Sequence, residues 1–512
     1  MLDCFRRAGL TFALALGGCA PLGPDFATPD AAMGESWSQG AGSAFIGRPA
    51  DDGNWWSVLG DPALDQLIER ALAHNNNLQT AGLRVLEAQA QLAIARGSRW
   101  PQSQALSGGA TWIEASSSNA NTQFGDLDFA QYELGAAVGW ELDFWGRYRR
   151  SIESADAAYL ATVAAYDNFV VLLTALVAET YTLIRTLEAQ LQVAKENVTL
   201  QRQSFDMTDA LFRNGEQSEL DVLQARTLLL STEAAIPELE TALAQAQHAM
   251  SVLLGLTPGE LRALIPDGSA IPTVPETLAV GIPADVLRQR PDVRQAEQQA
   301  RALNAQVGVA QANLRPSFSL VGSLGLSAAD NTSSTGSGDS GFDALFSSDS
   351  VTYAAGPRFV WPLFNYGRLS NNVLVQDARL QQALVQYRET VLQASREVED
   401  ALVGIIGSRR QDAVLTETVA VARRSAQLSI VRYREGFADY QRVLNAQQAL
   451  FSQQLRQIGN KGAVVRSLIG LYRALGGGWR TQVGQPLIDD ALRSQMRERV
   501  KWGERLERAP QR

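Results

Sequence analysis

The chain has 512 residues, 46% of them hydrophobic and 19% charged, and its 45 basic and 54 acidic side chains give a formal net charge of −9. That balance argues against a nucleic-acid partner. Two cysteines and two histidines exclude a disulfide scaffold and leave almost nothing for a metal or thiol-nucleophile site, so no enzyme activity, metal or cofactor is expected.

The amino end reads as a leader. Arg6 and Arg7 precede an apolar stretch, Ala8 to Leu16, that is too short to span a bilayer, and Leu16-Gly17-Gly18-Cys19 follows. This order is similar to a bacterial lipoprotein signal, which predicts loss of residues 1–18 and lipidation of Cys19. By the same resemblance, Ala20 in place of an aspartate favours the outer membrane. The alternative is an ordinary secretory leader with an incidental cysteine. No later run of about 18 apolar residues is read, so no spanning helix is predicted; a β-barrel carries a much weaker signal and stays open.

Further along, the apolar period is two. A weak strand is read over about 102–115, and a clear one over about 131–143, where Tyr132, Leu134, Ala136, Val138, Trp140 and Leu142 alternate with Gln131, Glu133, Gly135, Ala137, Gly139 and Glu141. The period then becomes seven: Val170, Val177, Ile184, Leu191, Val198, Phe205 and Phe212. A sustained seven-residue series makes helices supercoil about their neighbours. The proline-free stretch from Arg147 to Phe212 predicts a helix of roughly 100 Å at about 1.5 Å per residue.

This pattern then recurs. Trp140-Glu141-Leu142-Asp143-Phe144-Trp145-Gly146-Arg147 returns as Trp361-Pro362-Leu363-Phe364-Asn365-Tyr366-Gly367-Arg368, an offset of 221 that also relates Arg213 to Arg434 and Gly215 to Gly436. An offset of 215 relates Ala81 to Ala296 and Pro101 to Pro316. One inserted residue would rotate a helix by about 100°, so ungapped repetition over such lengths points to continuous helices. The second copy places strands at about 317–327 and 351–363 and keeps the seven-residue series as Val391, Val398, Ile405, Val419, Ala426 and Tyr433, with Asp412 as its interruption. Polar loops are expected over 116–130 and 328–350.

Tyr132 and Trp140, like Tyr353 and Trp361, stand eight apart on the apolar faces. That is about 26 Å along a strand, or roughly 20 Å of height when tilted, close to the lipid-facing band between aromatic girdles. Half-buried sandwich strands would alternate in the same way. Glu133 and Arg358 fall on the polar faces and are assigned to a water-filled lumen. Four strands cannot close a barrel, and open edges are not tolerated in hydrocarbon, so several copies must share one barrel.

The leader, Gly23-Pro24-Asp25-Phe26, Trp55-Trp56 to Asp61-Pro62-Ala63-Leu64, Arg288-Gln289-Arg290-Pro291-Asp292-Val293-Arg294, Leu363-Phe364-Asn365-Tyr366-Gly367-Arg368 and Leu475-Gly476-Gly477-Gly478-Trp479 together resemble the outer-membrane efflux factors. Those are TolC-like proteins, and the nearest branch is the lipid-modified OprM and NodT type. The resemblance implies a mainly α fold with a membrane β-barrel. A homotrimer would form a long coiled-coil α-barrel and a 12-stranded β-barrel, with four strands per chain and two tandem repeats. The implied divisions are a signal at 1–18, a lipidated segment and equatorial belt at 19–60, repeats at 61–255 and 284–479, a linker at 256–283 and a tail at 480–512, read as a solvated or frayed helix.

Function follows by the same resemblance: an exit duct of a tripartite pump, anchored in outer-membrane lipid and extending into the periplasm, with a periplasmic adaptor and an inner-membrane transporter of the RND type as partners. Type I protein secretion or metal-ion export would use the same fold, and a lipid-anchored periplasmic coiled-coil scaffold is the reading from another class. The resemblance places a periplasmic gate at the two helix tips, with Arg213, Gly215 and Asp221 on one and Tyr433, Arg434, Gly436, Arg442 and Asn445 on the other. Asp221 and Tyr433 match a latch pair, although Asp221 could instead cap the returning helix. Asn445 stands where the family often carries an aspartate ring, with Arg442 one turn earlier, which argues against a cation-binding ring.

Overall fold

A computed structural model describes residues 21–30, 36–38, 45–46, 53–114, 116–118, 128–264, 270–279, 287–330 and 341–507. The leader, Cys19 and Arg508 lie outside the described residues, as do parts of both polar loops and of the 19–60 and 256–283 segments. The chain forms two compact units. One comprises Glu87–Tyr159 and Glu297–Val385 with the amino-terminal residues to Pro29; the other comprises Asp30–Leu86, Leu160–Ala296 and Gln386–Arg512.

The first unit holds a four-stranded antiparallel sheet of β1 (Ser103–Glu114), β2 (Asp128–Leu142), β3 (Ser317–Asp330) and β4 (Val351–Val360), in that order. β2 begins and β3 ends farther into the polar loops than the alternation alone indicates. β4 stops at Val360 rather than 363, because Pro362 has no N–H to offer a ladder. Tyr132 lies opposite Ala110 and Ala328, and Leu324 opposite Ala136 and Tyr353.

The helices are α1 (Pro62–His74), α2 (Asn76–Gly97), α3 (Arg147–Arg213), α4 (Glu219–Leu253), α5 (Pro291–Ala312), α6 (Arg368–Arg434), α7 (Tyr440–Ala474) and α8 (Asp490–Arg499). The repeat governs their lengths: α3 and α6 each have 67 residues, α4 and α7 each 35, and α2 and α5 each 22. It also governs their junctions with the sheet. The Trp140 indole N–H donates to the Arg99 carbonyl and the Trp361 indole N–H to the Leu314 carbonyl, both at 3.2 Å.

Residues 22–25 are strapped onto this unit. Arg150, almost wholly buried, donates to the carbonyls of Leu22 and Gly23 and to Asp25 and Glu153, while Asn304 donates to the Pro24 carbonyl. The strap runs so close to α5 that a Cβ on Gly308 would lie 2.5 Å from the Leu22 oxygen. Only glycine admits such an approach.

In the second unit, Val170, Val177, Tyr181 and Ile184 of α3 are fully buried. An 18-residue window of α3 is apolar enough to cross a bilayer, contrary to the expectation of no such segment; 61% of it is buried within the fold, which accounts for its composition. Trp55 stacks on Tyr472 at 5.3 Å. Asp61 caps α1 through the Ala63 N–H and accepts from the Tyr181 hydroxyl at 2.5 Å. Burial of that hydroxyl, together with the Asp61 bond, pushes its pKa up to about 12.

Arg290, in the motif before α5, donates to both Asp292 oxygens, to Glu397 and to the carbonyls of Ala474 and Ala394. The motif is therefore a structural clamp on α5, α6 and α7. The tail is not a frayed helix: Ile488, Met496 and Leu506 bury against Leu86, and α8 presents most of its charges outward, with Arg497 on Glu507 at 2.7 Å, while Arg493 is part-buried. The charge run had concealed an apolar residue at each of these contacts.

Candidate functional site

Pairing across the sheet sorts its side chains onto two faces. One carries Leu106, Trp112, Tyr132, Leu134, Val138, Trp140, Phe318, Leu320, Leu324, Tyr353 and Phe359; the other carries Gln131, Glu133, Glu141, Ser319, Ser323, Ser327, Thr352 and Arg358 among glycines and alanines. Glu133 accepts from Gln131, and Arg358 lies across from Ser319. Tyr353 is 82% exposed and Leu324 61%. Trp361 follows the end of β4 rather than lying within it. Ile113, Phe129, Val321 and Val360 share the polar face, and most of its remaining positions are small, which leaves room for water.

The two helix hairpins turn at Gly215 (φ 74°) and Gly436 (φ 78°), in the left-handed region where a Cβ is strained. Flanking charges are locally paired: Arg213 with Asp209 at 2.6 Å, Arg434 with Glu435 at 3.4 Å and Arg442 with Asp439 at 3.6 Å. Asn445 is exposed and accepts from Gln441.

Asp221 is not the cap of α4. The Ser218 hydroxyl accepts from the Asp221 N–H, leaving the Asp221 carboxylate free to face elsewhere. The Ser-x-x-Asp spacing before an apolar run was the available signal for that cap. The structure brings Asp221 near Tyr433. The Tyr433 hydroxyl is buried, short of hydrogen-bonding geometry with any described group, with Asp221 and Thr208 as polar neighbours. Burial pushes its pKa up and the Asp221 charge adds to this, while Thr208 opposes it. Its ring packs edge-on against Tyr440 at 5.2 Å, in a cluster with Ala225 and Val443. Tyr440 opens α7 beside the second turn, and burial raises its pKa as well, helped by Tyr433 and Asp221.

The seam behind these tips departs from the seven-residue series. In α6 the buried positions keep it, through Val391, Val398, Ile405, Val419, Ala426 and Tyr433. In α3 it is followed only to Ile184; Leu191, Val198 and Phe205 become half-buried and Phe212 exposed, while Asn197, Gln201, Ser204 and Thr208 take the buried stripe. Asn197 donates to Gln454 at 2.8 Å, and Gln447 donates to Ser204 at 2.6 Å. Gln201, 1% exposed, makes no side-chain hydrogen bond among the described residues. Because an unpaired buried amide is costly, Gln201→Leu is expected to raise unfolding stability by about 1 kcal/mol. A denaturation midpoint at or below the parent's would contradict this.

Comparison with known proteins gives a consistent result. The model of the family described as outer membrane efflux protein matches residues 67–256 and 282–477. The solvent efflux pump outer membrane protein SrpC of Pseudomonas putida is 33% identical over 93% of this chain and 98% of its own. The cation efflux system protein CusC of Escherichia coli O6:H1 is 30% identical over 91% of this chain and 97% of its own. Among solved structures, the outer-membrane channel OprN superposes with a TM-score of 0.83 at 30% identity, covering 90% of this chain and 99% of OprN.

Proposed function

The chain belongs to the outer membrane efflux protein family and is an efflux channel of the outer membrane, and we propose that three copies close one pore through their sheets and serve as its passive exit duct. The single observation that carries the trimer is the sheet itself: four strands, one apolar face, one polar face of mostly small residues, and two unpaired edges on β1 and β4. Unpaired edges are intolerable in hydrocarbon, and eight strands enclose an interior that side chains fill, whereas twelve leave an aqueous lumen. Tyr132 and Trp140 would then meet lipid toward its two interfaces, with Trp361 beyond the end of β4, and Glu133 and Arg358 the lumen; Tyr353, in register with Leu324 and Ala136, lies midway between the interfaces rather than in a girdle. Native mass measurement in detergent should give three chains; a monodisperse single chain without detergent would end the proposal.

The adaptor is proposed to meet the tips around Gly215 and Gly436, with an RND-type transporter supplying the energy and the Cys19 lipid holding the amino end in the outer membrane. The relatives' names, solvent for SrpC and cation for CusC, favour small molecules or ions over secreted proteins as cargo. Asp221 and Tyr433 are proposed as a latch within the tip, since the buried Tyr433 hydroxyl has no hydrogen bond among the described residues and gains one by closing on the neighbouring carboxylate. Asp221→Ala combined with Tyr433→Phe should raise single-channel conductance in planar bilayers, and an unaltered conductance removes the latch. Pull-down of the adaptor, followed by export assays with organic solvents and with metal ions, identifies the cargo.

A further inference from the structure

The apolar face of the sheet does not end with its strands. After the loop that follows β3, Asp343–Phe346 forms a single helical turn whose residues point two ways: Ala344 and Leu345 are buried, whereas Phe342 and Phe346 are 57% and 65% exposed. The turn is internally fixed, with the Ser350 hydroxyl donating to the Ala344 carbonyl at 2.5 Å and the Leu345 N–H to the Phe342 carbonyl at 3.2 Å. Phe342 packs edge-on against Tyr132 at 5.5 Å and against Phe346 at 5.9 Å.

Tyr132 decides where this turn lies. It belongs to the apolar face, toward the end of β2 opposite the one where Trp140 bonds to the Arg99 carbonyl. A ring stacked on Tyr132 is therefore on the outside of the sheet and cannot cover the mouth of the lumen. Exposed aromatics beside an exposed carboxylate, here Asp343, suit the boundary between headgroups and acyl chains, where rings bury and charge stays wet.

We propose that the turn Phe342–Phe346 folds back over the outer wall of the barrel and inserts Phe342 and Phe346 into the outer leaflet as a lipid anchor. This rests on the reading that the apolar sheet face meets lipid, and the test separates the two. A bimane fluorophore is placed on Phe346→Cys, and separately on Leu324→Cys in the middle of the same face, in full-length channel reconstituted into phosphatidylcholine vesicles. The unsubstituted chain, labelled in parallel, gives the background, which should be small because in the proposed lipoprotein Cys4 is lost with the leader and Cys19 carries lipid. Phosphatidylcholine brominated high on its acyl chains should remove most of the emission at position 346, phosphatidylcholine brominated near the chain ends most of that at position 324, and aqueous iodide little at either. Quenching by iodide instead, or by neither agent, overturns the anchor while quenching at position 324 by brominated lipid leaves the barrel orientation standing. Loss of lipid quenching at both positions overturns both.

Discussion

Leu324→Arg is expected to destabilise the channel in bilayers by about 2–4 kcal/mol, the cost of an arginine near the midplane on the lipid face of a barrel strand. Ser323→Arg, one residue away, should cost far less. The neighbours fix the contrast: Leu324 pairs with Ala136 and Tyr353 on the apolar face, and Ser323 pairs with Ala137 and Ala354 on the face of Glu133 and Arg358. An added lumen charge should instead shift ion selectivity. Unfolding from vesicles by urea, together with reversal potentials for both variants, measures the difference. Equal destabilisation by the two substitutions would mean that the faces are wrongly assigned.

Arg290→Ala should be the most damaging change in the helical part, at about 3 kcal/mol. One guanidinium there holds Asp292, Glu397 and the Ala474 carbonyl at the end of α7, and removing it leaves a buried carbonyl without its donor and two carboxylates without their counter-charge. Partial exposure of both carboxylates keeps the loss toward the low end of what a broken buried pair costs. Arg290→Lys should restore only a fraction, because a single ammonium cannot reproduce a planar fork of five donors. Thermal unfolding of the three proteins gives the order parent, Lys, Ala. An alanine variant within about 0.5 kcal/mol of the parent, the range of ordinary surface substitutions, would show that the clamp carries no weight.

Much of this fold is written in periodicities. Strand alternation, the repeat and the absence of proline locate the sheet and the two 67-residue helices, because side-chain direction follows backbone period without reference to distant residues. Gly215 and Gly436 are legible for the same reason, since a tight turn between helices makes a local demand on φ. The Ser218 cap is equally local, carried by the Ser-x-x-Asp spacing at the start of α4.

Other features depend on which surface meets which. The series in α3 was a sound rule for supercoiling, yet beyond Ile184 the helix turns Gln201 and Ser204 toward its own chain and leaves Phe205 and Phe212 less covered. A seven-residue spacing states that a stripe exists and not which partner takes it. The tail shows the converse: Ile488, Met496 and Leu506 are too widely spaced among charges to announce a core, and only their convergence on Leu86 makes one.

The sequence by itself determined the elements, their duplication and the incompleteness of the sheet, since each depends on bonding and sterics within a few neighbouring residues. Tertiary structure alone decided that Arg290 is a clamp, that Asp221 stands beside a buried Tyr433, and that Phe342 packs against Tyr132 on the apolar face of the sheet. Those are meetings between residues far apart in the chain, and their energies come from burial and from desolvated polar contacts that exist only once the chain has closed upon itself.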